Sequence, residues 1–276
     1  MWSILDFFPE DFLINILDIG AALSEVPPYH KIIEGRKGKI IGFEPDLTEC
    51  EKLNQTYGAP HQFFPYFVGN GLPATFYETS WNLTGSLFEP NSSLLGKFQH
   101  LLEVVTLVNT HPVETKTIDS ILEIESVDLI KIDVQGAELM VFENATRILP
   151  NTLVIQTEVE FVELYKNQPL FADVDRFLRS QGFQFHKFLG YGGRTFKPLM
   201  TENPYKGNQF LWSDAIYVRD WMKLEELSLM QLKKYAILAH EVVCSLDLTY
   251  LILSELDRRA GTNYIGKYEE RLFATE

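Results

Sequence analysis

Short apolar runs that alternate with stretches of helical length constrain this chain more than any other feature. "FLINILDIG" ends at Gly20, and a segment opened by Pro27 and Pro28 and containing "YHKIIEG" follows it. "GKIIGFEPD" is the next run, "LTECEKLNQTYG" reads as a helix stopped by Gly58, and "HQFFPYFVGNG" reads as a third strand closed at Gly69 to Gly71. A β-α-β-α-β order of this kind builds a parallel sheet covered by helices. The alternation lapses between residues 72 and 110, an insertion of the sort that lies over binding sites. It resumes with "SVDLIKIDVQGAEL", where a strand leads into a helix expected from about Gly136 to Leu149. "NTLVIQTEVEF", "FADVDRFLRSQGF", "FQFHKFLG" and "QFLWSDAIYVRD" then give strand, helix, strand and strand. From Trp221 the apolar period is helical and predicts two amphipathic helices. The expected division is a sheet domain over residues 1–220, with its insertion, and a helical extension over 221–276.

The bulk properties limit the partners. The chain has 276 residues, 24 Lys and Arg against 38 Asp and Glu, and a formal charge of -14, which opposes phosphate backbones and anionic lipid unless a local basic patch hides in the total. No nucleic-acid partner and no membrane span are expected, since no apolar run reaches the necessary length. Cys50 and Cys244 give neither a disulfide framework nor a cysteine metal set. "MWSILDFFPEDF" lacks the basic start of a secretory signal. A cytoplasmic location is the simplest expectation. The sequons at Asn82, Asn91 and Asn144 then read as chance.

Polar residues gather at the strand ends. In an open parallel sheet, ligands bind beyond the carboxyl ends of the strands where strand order reverses. Asp18, Gly20 and Ala21 sit at the end of the first strand. Glu44, ending the neighbouring strand, is spaced to accept the hydroxyl hydrogens of a ribose. A nicotinamide dinucleotide would need further glycines for its pyrophosphate, whereas Ala22 and Glu25 stand near those places and Glu25 and Asp18 would repel phosphate. An adenosine carrying an ammonium and a sulfonium suits the acids better, which describes S-adenosylmethionine. The same residues also have plain readings: Asp18 as a turn or cap acid, Glu44 as a solvated loop acid, Gly69 to Gly71 as a turn.

"LDIGA", "IGFEPD", "TIDSI" and above all "DLIKIDVQGAELMVFENA" resemble the FkbM-type S-adenosylmethionine-dependent methyltransferases, with support from "EVEFVELYKNQPLFADVDRFLRSQGF" and "LWSDAIYVRD". The resemblance covers roughly residues 13–220. It implies the Rossmann-like class I methyltransferase fold, a seven-stranded, mostly parallel α/β sheet with helices on both faces, and O-methylation of a hydroxyl on a sugar, glycan or secondary metabolite. Carried over, Asp18 and Gly20 border the methionine part of the cofactor, Glu44 holds the ribose, Gly69 and Asn70 border the adenine, and Asp133 lies near the transferable methyl. This chain departs from the family at two places: Gln135 stands where many members have Glu, and Leu23 or Ser24 where a further glycine is common.

Methyl transfer to a hydroxyl needs alignment and a base. Asp133, Glu158 and Glu160 are the candidates by strand logic, Glu158 and Glu160 sharing one strand face. Glu138 reads as a first-turn acid at a helix N-terminus, and His111 and His186 as solvated or satisfied histidines. A carboxylate cluster could also hold a divalent cation, so metal dependence stays open at this point. The rivals are a binding or structural protein on a methyltransferase fold and a nicotinamide oxidoreductase. The expected partner is a small-molecule or glycan acceptor, with Tyr191, Phe196 and Trp212 able to stack on rings. The C-terminal apolar stripes pack on their own chain or make a homodimer.

Overall fold

In the computed structural model, which describes residues 2–23 and 26–274, strands and helices alternate as the apolar runs require. The readings that involve Ser24 and Glu25 lie outside the described residues. Strand β1 (Ile14–Ile19) leads to helix α1 (His30–Glu34), β2 (Gly38–Phe43), α2 (Leu47–Tyr57) and β3 (Gln62–Phe64). Asp46 caps α2 by accepting the Glu49 N–H at 2.9 Å, Cys50 and Leu53 bury one turn apart, and Gly58 ends the helix at φ 61°.

The expected third strand is broken in two. Pro65 has no N–H for a sheet ladder, and after it the chain leaves the main sheet for β4 (Phe67–Val68). Strand β4 belongs to a smaller sheet with β5 (Pro73–Thr79) and β6 (Leu107–Lys116), in the order β4-β6-β5. The insertion thus reaches past residue 110 to Lys116, and the one-turn helices α3 (Ser92–Leu95) and α4 (Leu101–Val104) lie in the excursion between β5 and β6.

Strand β7 (Leu129–Ile132) returns to the main sheet and is followed by α5 (Glu138–Glu143), which is shorter than its apolar pattern predicts. The Asp119 carboxylate accepts the Thr146 and Arg147 N–H groups at 2.9 and 3.0 Å, so the backbone beyond Asn144 turns toward Asp119 instead of continuing the helix. Then come β8 (Val154–Glu160), α6 (Phe171–Ser180), β9 (Phe183–Phe188) and β10 (Trp212–Arg219). The seven-stranded sheet has the order β3-β2-β1-β7-β8-β10-β9. Strands β1, β2, β3, β7 and β8 pair in parallel, and β10 runs antiparallel to both β8 and β9. This is the expected α/β class, and strand order reverses between β1 and β7.

Period-two alternation sorts each strand between two cores. Leu17, Ile19, Ile130, Ile132, Ile155 and Val159 face α5 and α6. Ile14, Ile16, Leu129, Val154 and Ile216 face the other way and meet α7 (Leu229–Glu241), α8 (Leu246–Ala260) and α9 (Tyr264–Phe273). Two terminal helices were expected and three are present. They pack on their own sheet, and α7 places Leu232, Tyr235, Ala236, Ile237, Leu238 and Ala239 at 0% exposure. Leu232, Ile237 and Leu238 each contribute roughly 1.5–3 kcal/mol on burial, so these helices form part of the core against the sheet.

The N-terminal segment docks on the same helices. The Ser3 Oγ and the Ile4 N–H both donate to Glu241 Oε1, at 2.6 and 2.8 Å, and Arg271 Nη1 donates to the Ser3 carbonyl at 2.9 Å. Among the described residues, no helix is long and apolar enough to cross a membrane.

Candidate active site

The carboxyl ends of β1, β2 and β7 are laced together by their own backbone. Gly20 and Ala21 donate N–H groups to the Phe43 carbonyl, each at 3.0 Å, Asp133 donates to the Ile19 carbonyl at 3.0 Å, and Glu44 donates to the Phe64 carbonyl at 3.1 Å. Gly20 has φ 77°, and a Cβ placed on it would stand 2.0 Å from the Asp133 carbonyl oxygen. Only glycine allows this approach of strand end to strand end. Ala21 is buried beneath the turn.

Asp18 is 4% exposed and faces inward. Tyr29 donates its hydroxyl to Asp18 Oδ2, and Lys131 Nζ lies 3.6 Å from Oδ1. Lys131 also donates to the Gly20 carbonyl at 3.2 Å. Burial opposes the charge on Lys131, but Asp18, Asp133 and Asp214 outweigh it and lift the lysine pKa above its ordinary value. Asp18 therefore holds the lysine that holds the turn. Lys131 went unnoticed in the sequence, although a charge within "DLIKID" was a signal, because a lysine in an apolar strand needs a partner.

Glu44 is half-buried at the end of β2, where one oxygen accepts the Asp46 N–H at 2.8 Å. Burial pushes its pKa up to about 7. Gly69 and Asn70 end the short strand β4 instead of an edge strand of the main sheet. Gly69 donates to the Lys116 carbonyl at 2.9 Å, and Asn70 Oδ1 accepts the Leu72 N–H at 3.0 Å in a local turn. Gly69 and Asn70, which the resemblance sets beside the adenine, thus follow a strand of the smaller sheet.

The candidates of the fourth and fifth main-sheet strands meet through Gln135. Its Nε2 donates to Asp133 Oδ1 and to Glu158 Oε2, both at 2.7 Å. Its Oε1 lies 3.0 Å from the Tyr165 hydroxyl, which is also 2.8 Å from the Thr84 carbonyl. Only this amide orientation serves two acids and a hydroxyl together. Gln135 has φ 55°, and Ser86 Oγ donates to its carbonyl at 2.6 Å, so the insertion helps hold the residue in this unusual conformation. Sequence reasoning missed Ser86 and Tyr165 because nothing in their spacing links the insertion to β7.

Behind this pair lie two closed-off acids. Glu160 is 3% exposed and Glu138 is 2% exposed, whereas Asp133 and Glu158 are half-buried and reachable. Burial pushes Glu158 and Glu160 well above the carboxylate range, with the surrounding acids adding to it. Burial also pushes Glu138 up to about 7, while the Val134 N–H, donating to it at 2.8 Å, works the other way. Glu138 is thus the first-turn acid expected and a member of the cluster. Glu138, Glu158 and Glu160 are all pushed toward the protonated form, so this part of the cluster holds protons near neutral pH. Among the described residues, no set of three or more His, Cys, Asp or Glu is placed to hold a metal ion. His111 pairs with Glu78 at 2.7 Å on the smaller sheet, and His186 is half-buried on β9.

Comparison with known proteins follows this geometry. Residues 18–185 match the FkbM methyltransferase domain. The 2-O-methyltransferase NoeI of Sinorhizobium fredii (strain NBRC 101917 / NGR234) is 39% identical over 178 residues, 58% of this chain and 69% of that protein. A solved structure of a methyltransferase candidate from Thermoplasma acidophilum aligns over 75% of this chain and 69% of its own, with a TM-score of 0.39 and 9% identity. So loose a likeness adds nothing to the strand order.

Proposed function

The chain belongs to the FkbM methyltransferase family, and from that premise we propose that it transfers a methyl group from S-adenosylmethionine to a hydroxyl oxygen of a sugar, glycan or other metabolite. The observation that carries this reading is the Gln135 clamp, which sets two reachable carboxylates beside the Gly20 turn. The cofactor end fits such a ligand. A Cβ would fill the cradle at Gly20, and Glu44 keeps a carboxylate beside that turn for two ribose hydroxyls. S-adenosylmethionine, when bound, supplies an electrophilic methyl on a sulfonium.

The protein's own groups then have two tasks. The first is to press an acceptor oxygen into line at roughly 3 Å. The second is to take its proton, which we assign to Asp133, with Glu158 accepting a hydrogen bond or sharing the proton through the clamp. Glu160 and Glu138, closed off from an acceptor, set the charge of the pair. O-specificity is supported by the similarity to NoeI, a 2-O-methyltransferase.

The test uses Asp133→Asn with labelled S-adenosylmethionine and candidate glycans. Turnover should fall by about 10² to 10⁴, the usual contribution of a general base, with affinity for the demethylated cofactor within a few-fold of wild type. Unimpaired turnover would remove Asp133 from the mechanism. A protein stabilised against heat by NAD but not by S-adenosylmethionine would refute the whole reading.

A further inference from the structure

The loop between β9 and β10 carries Arg194, Lys197 and Lys206 against one acid, Glu202, in a chain whose acids outnumber its bases by 38 to 24. It is a braced structure. Gln99 donates its N–H to the Thr195 carbonyl at 2.9 Å, Lys197 donates to the Lys97 carbonyl at 2.8 Å, and the Phe98 and Phe196 rings meet at 4.6 Å. A Cβ on Gly207 would stand 1.9 Å from the Arg194 carbonyl oxygen, so the two limbs of the loop touch through their backbones. Between these walls opens a cleft of about 850 Å³, lined among others by Thr195, Lys197, Thr201, Lys206 and Asn208.

Arg194 is the unusual member. Its guanidinium carbon lies 4.2 Å from the Tyr205 ring centre and 5.2 Å from the Trp212 ring centre. It donates to the carbonyl of Gly193 at 2.9 Å, and among the described residues no carboxylate pairs with it. Burial pulls its pKa below the ordinary arginine value, opposed only by Tyr205. A half-buried guanidinium with most of its five N–H groups unused is a receptor for an oxyanion, and the flanking rings fix its plane. Its place is equally specific. Trp212 stands directly opposite Glu160 in the β10–β8 register, and the Phe161 N–H donates to the Leu211 carbonyl at 2.9 Å. The loop is therefore rooted at the carboxyl end of β8, next to the acid cluster.

We propose that this loop binds the non-reacting part of the acceptor, and that this part is a sugar unit bearing an anionic group, with Lys206 lining the cleft and Arg194, the residue next to the cleft-lining Thr195, taking the oxyanion at its edge. The exposed Phe196 ring gives the cleft an apolar face for sugar C–H groups to stack on, and Thr201 and Asn208, which also line it, match hydroxyls. A local cationic cleft is also what an anionic acceptor needs to approach a protein of charge -14. The proposal rests on the reading of the acceptor as a sugar hydroxyl, and it names which sugars.

The experiment is a binding titration of the full chain, saturated with S-adenosylhomocysteine, using methyl glucuronide, glucose 6-phosphate and methyl glucoside. At least one anionic probe should bind ten-fold or more tightly than the neutral glucoside, the preferred one identifying carboxylate or phosphate. That preference should shrink to under three-fold in Arg194→Gln and should fall in Lys206→Met, an exposed site that does not endanger folding. Equal binding of neutral and anionic probes overturns the proposal, as does no binding of any probe, or a preference that survives in both folded variants. Turnover is not read, so the two readings fail separately. Loss of S-adenosylhomocysteine binding alone would sink the methyltransferase reading and leave the anion preference standing.

Discussion

Exchanging the Gln135 amide for a carboxylate would put a third acid where two already converge. In wild type the Nε2 group lies 2.7 Å from both Asp133 Oδ1 and Glu158 Oε2, which keeps those oxygens about 5 Å apart with a hydrogen between each acid and the amide. In Gln135→Glu both hydrogens are lost and a negative charge replaces them. With about 5 Å between the charge centres of the new carboxylate and each neighbouring one, and an effective dielectric constant near 20, each new charge pair costs about 3 kcal/mol, or about two pKa units. Because Asp133 and Glu158 are only half-buried, solvent should reduce this to about one unit. A base with a raised pKa is ionised only at higher pH, so the acid limb of kcat/KM against pH should move up by about one unit. On that limb the rate should fall by up to about ten-fold and recover as pH rises. Affinity for S-adenosylhomocysteine should stay within a few-fold, since Glu44 and Gly20 are untouched. A folded Gln135→Glu enzyme with an unshifted limb would show that the clamp does not govern the base.

Three further outcomes are expected. Glu44→Ala should weaken cofactor binding by well over ten-fold, because charge-assisted hydrogen bonds are worth about 1.5–3 kcal/mol each. In wild type that affinity should also decline as pH falls through about 7, where Glu44 takes up its proton, while calorimetry on the Ala variant should show no such dependence. Gly20→Ala must displace the Asp133 backbone that its Cβ would strike at 2.0 Å, so melting temperature and cofactor affinity should drop together. Glu138 has a folded pKa near 7, raised above its unfolded value, so the stability it gives is full below about pH 4.5 and lost as pH rises through 7. Glu138→Gln should therefore be the more stable protein at pH 8 and lose that advantage by pH 4.5, and parallel melting curves at the two pH values would contradict the assignment.

Local chemistry made part of this site legible and hid the rest. Gly20 and Glu44 could be read because strand ends are marked by where apolar runs stop, and Asp133 and Glu158 because alternate residues share a face. The break at Pro65 also had its signal, a missing N–H, yet the apolar residues on both sides masked it. Gln135 could not be read as a clamp. Its left-handed backbone depends on Gly136 beside it and on Ser86, 49 positions away in the chain, and its amide is oriented by Tyr165. Pattern locates strands, whereas contacts between distant segments decide which side chains meet. The third terminal helix was missed for a related reason: its buried face rests on only two residues, Tyr264 and Tyr268.

The docking of residues 2–8 on α7–α9 sets an order of events during synthesis. The ribosome delivers β1 first, with α1 and α2 soon after it to cover one part of that sheet face, yet Leu129, Val154 and Ile216 gain their cover only when residues beyond 229 emerge, and Ser3 meets Arg271 later still. Contacts between such distant segments slow folding and leave apolar surface open in the meantime. A chain interrupted just after β10 would hold every residue assigned here to cofactor and base and still leave Leu129, Val154 and Ile216 without the cover of α7 to α9. Premature termination or clipping in α7 to α9 should therefore abolish the whole enzyme rather than trim an appendage.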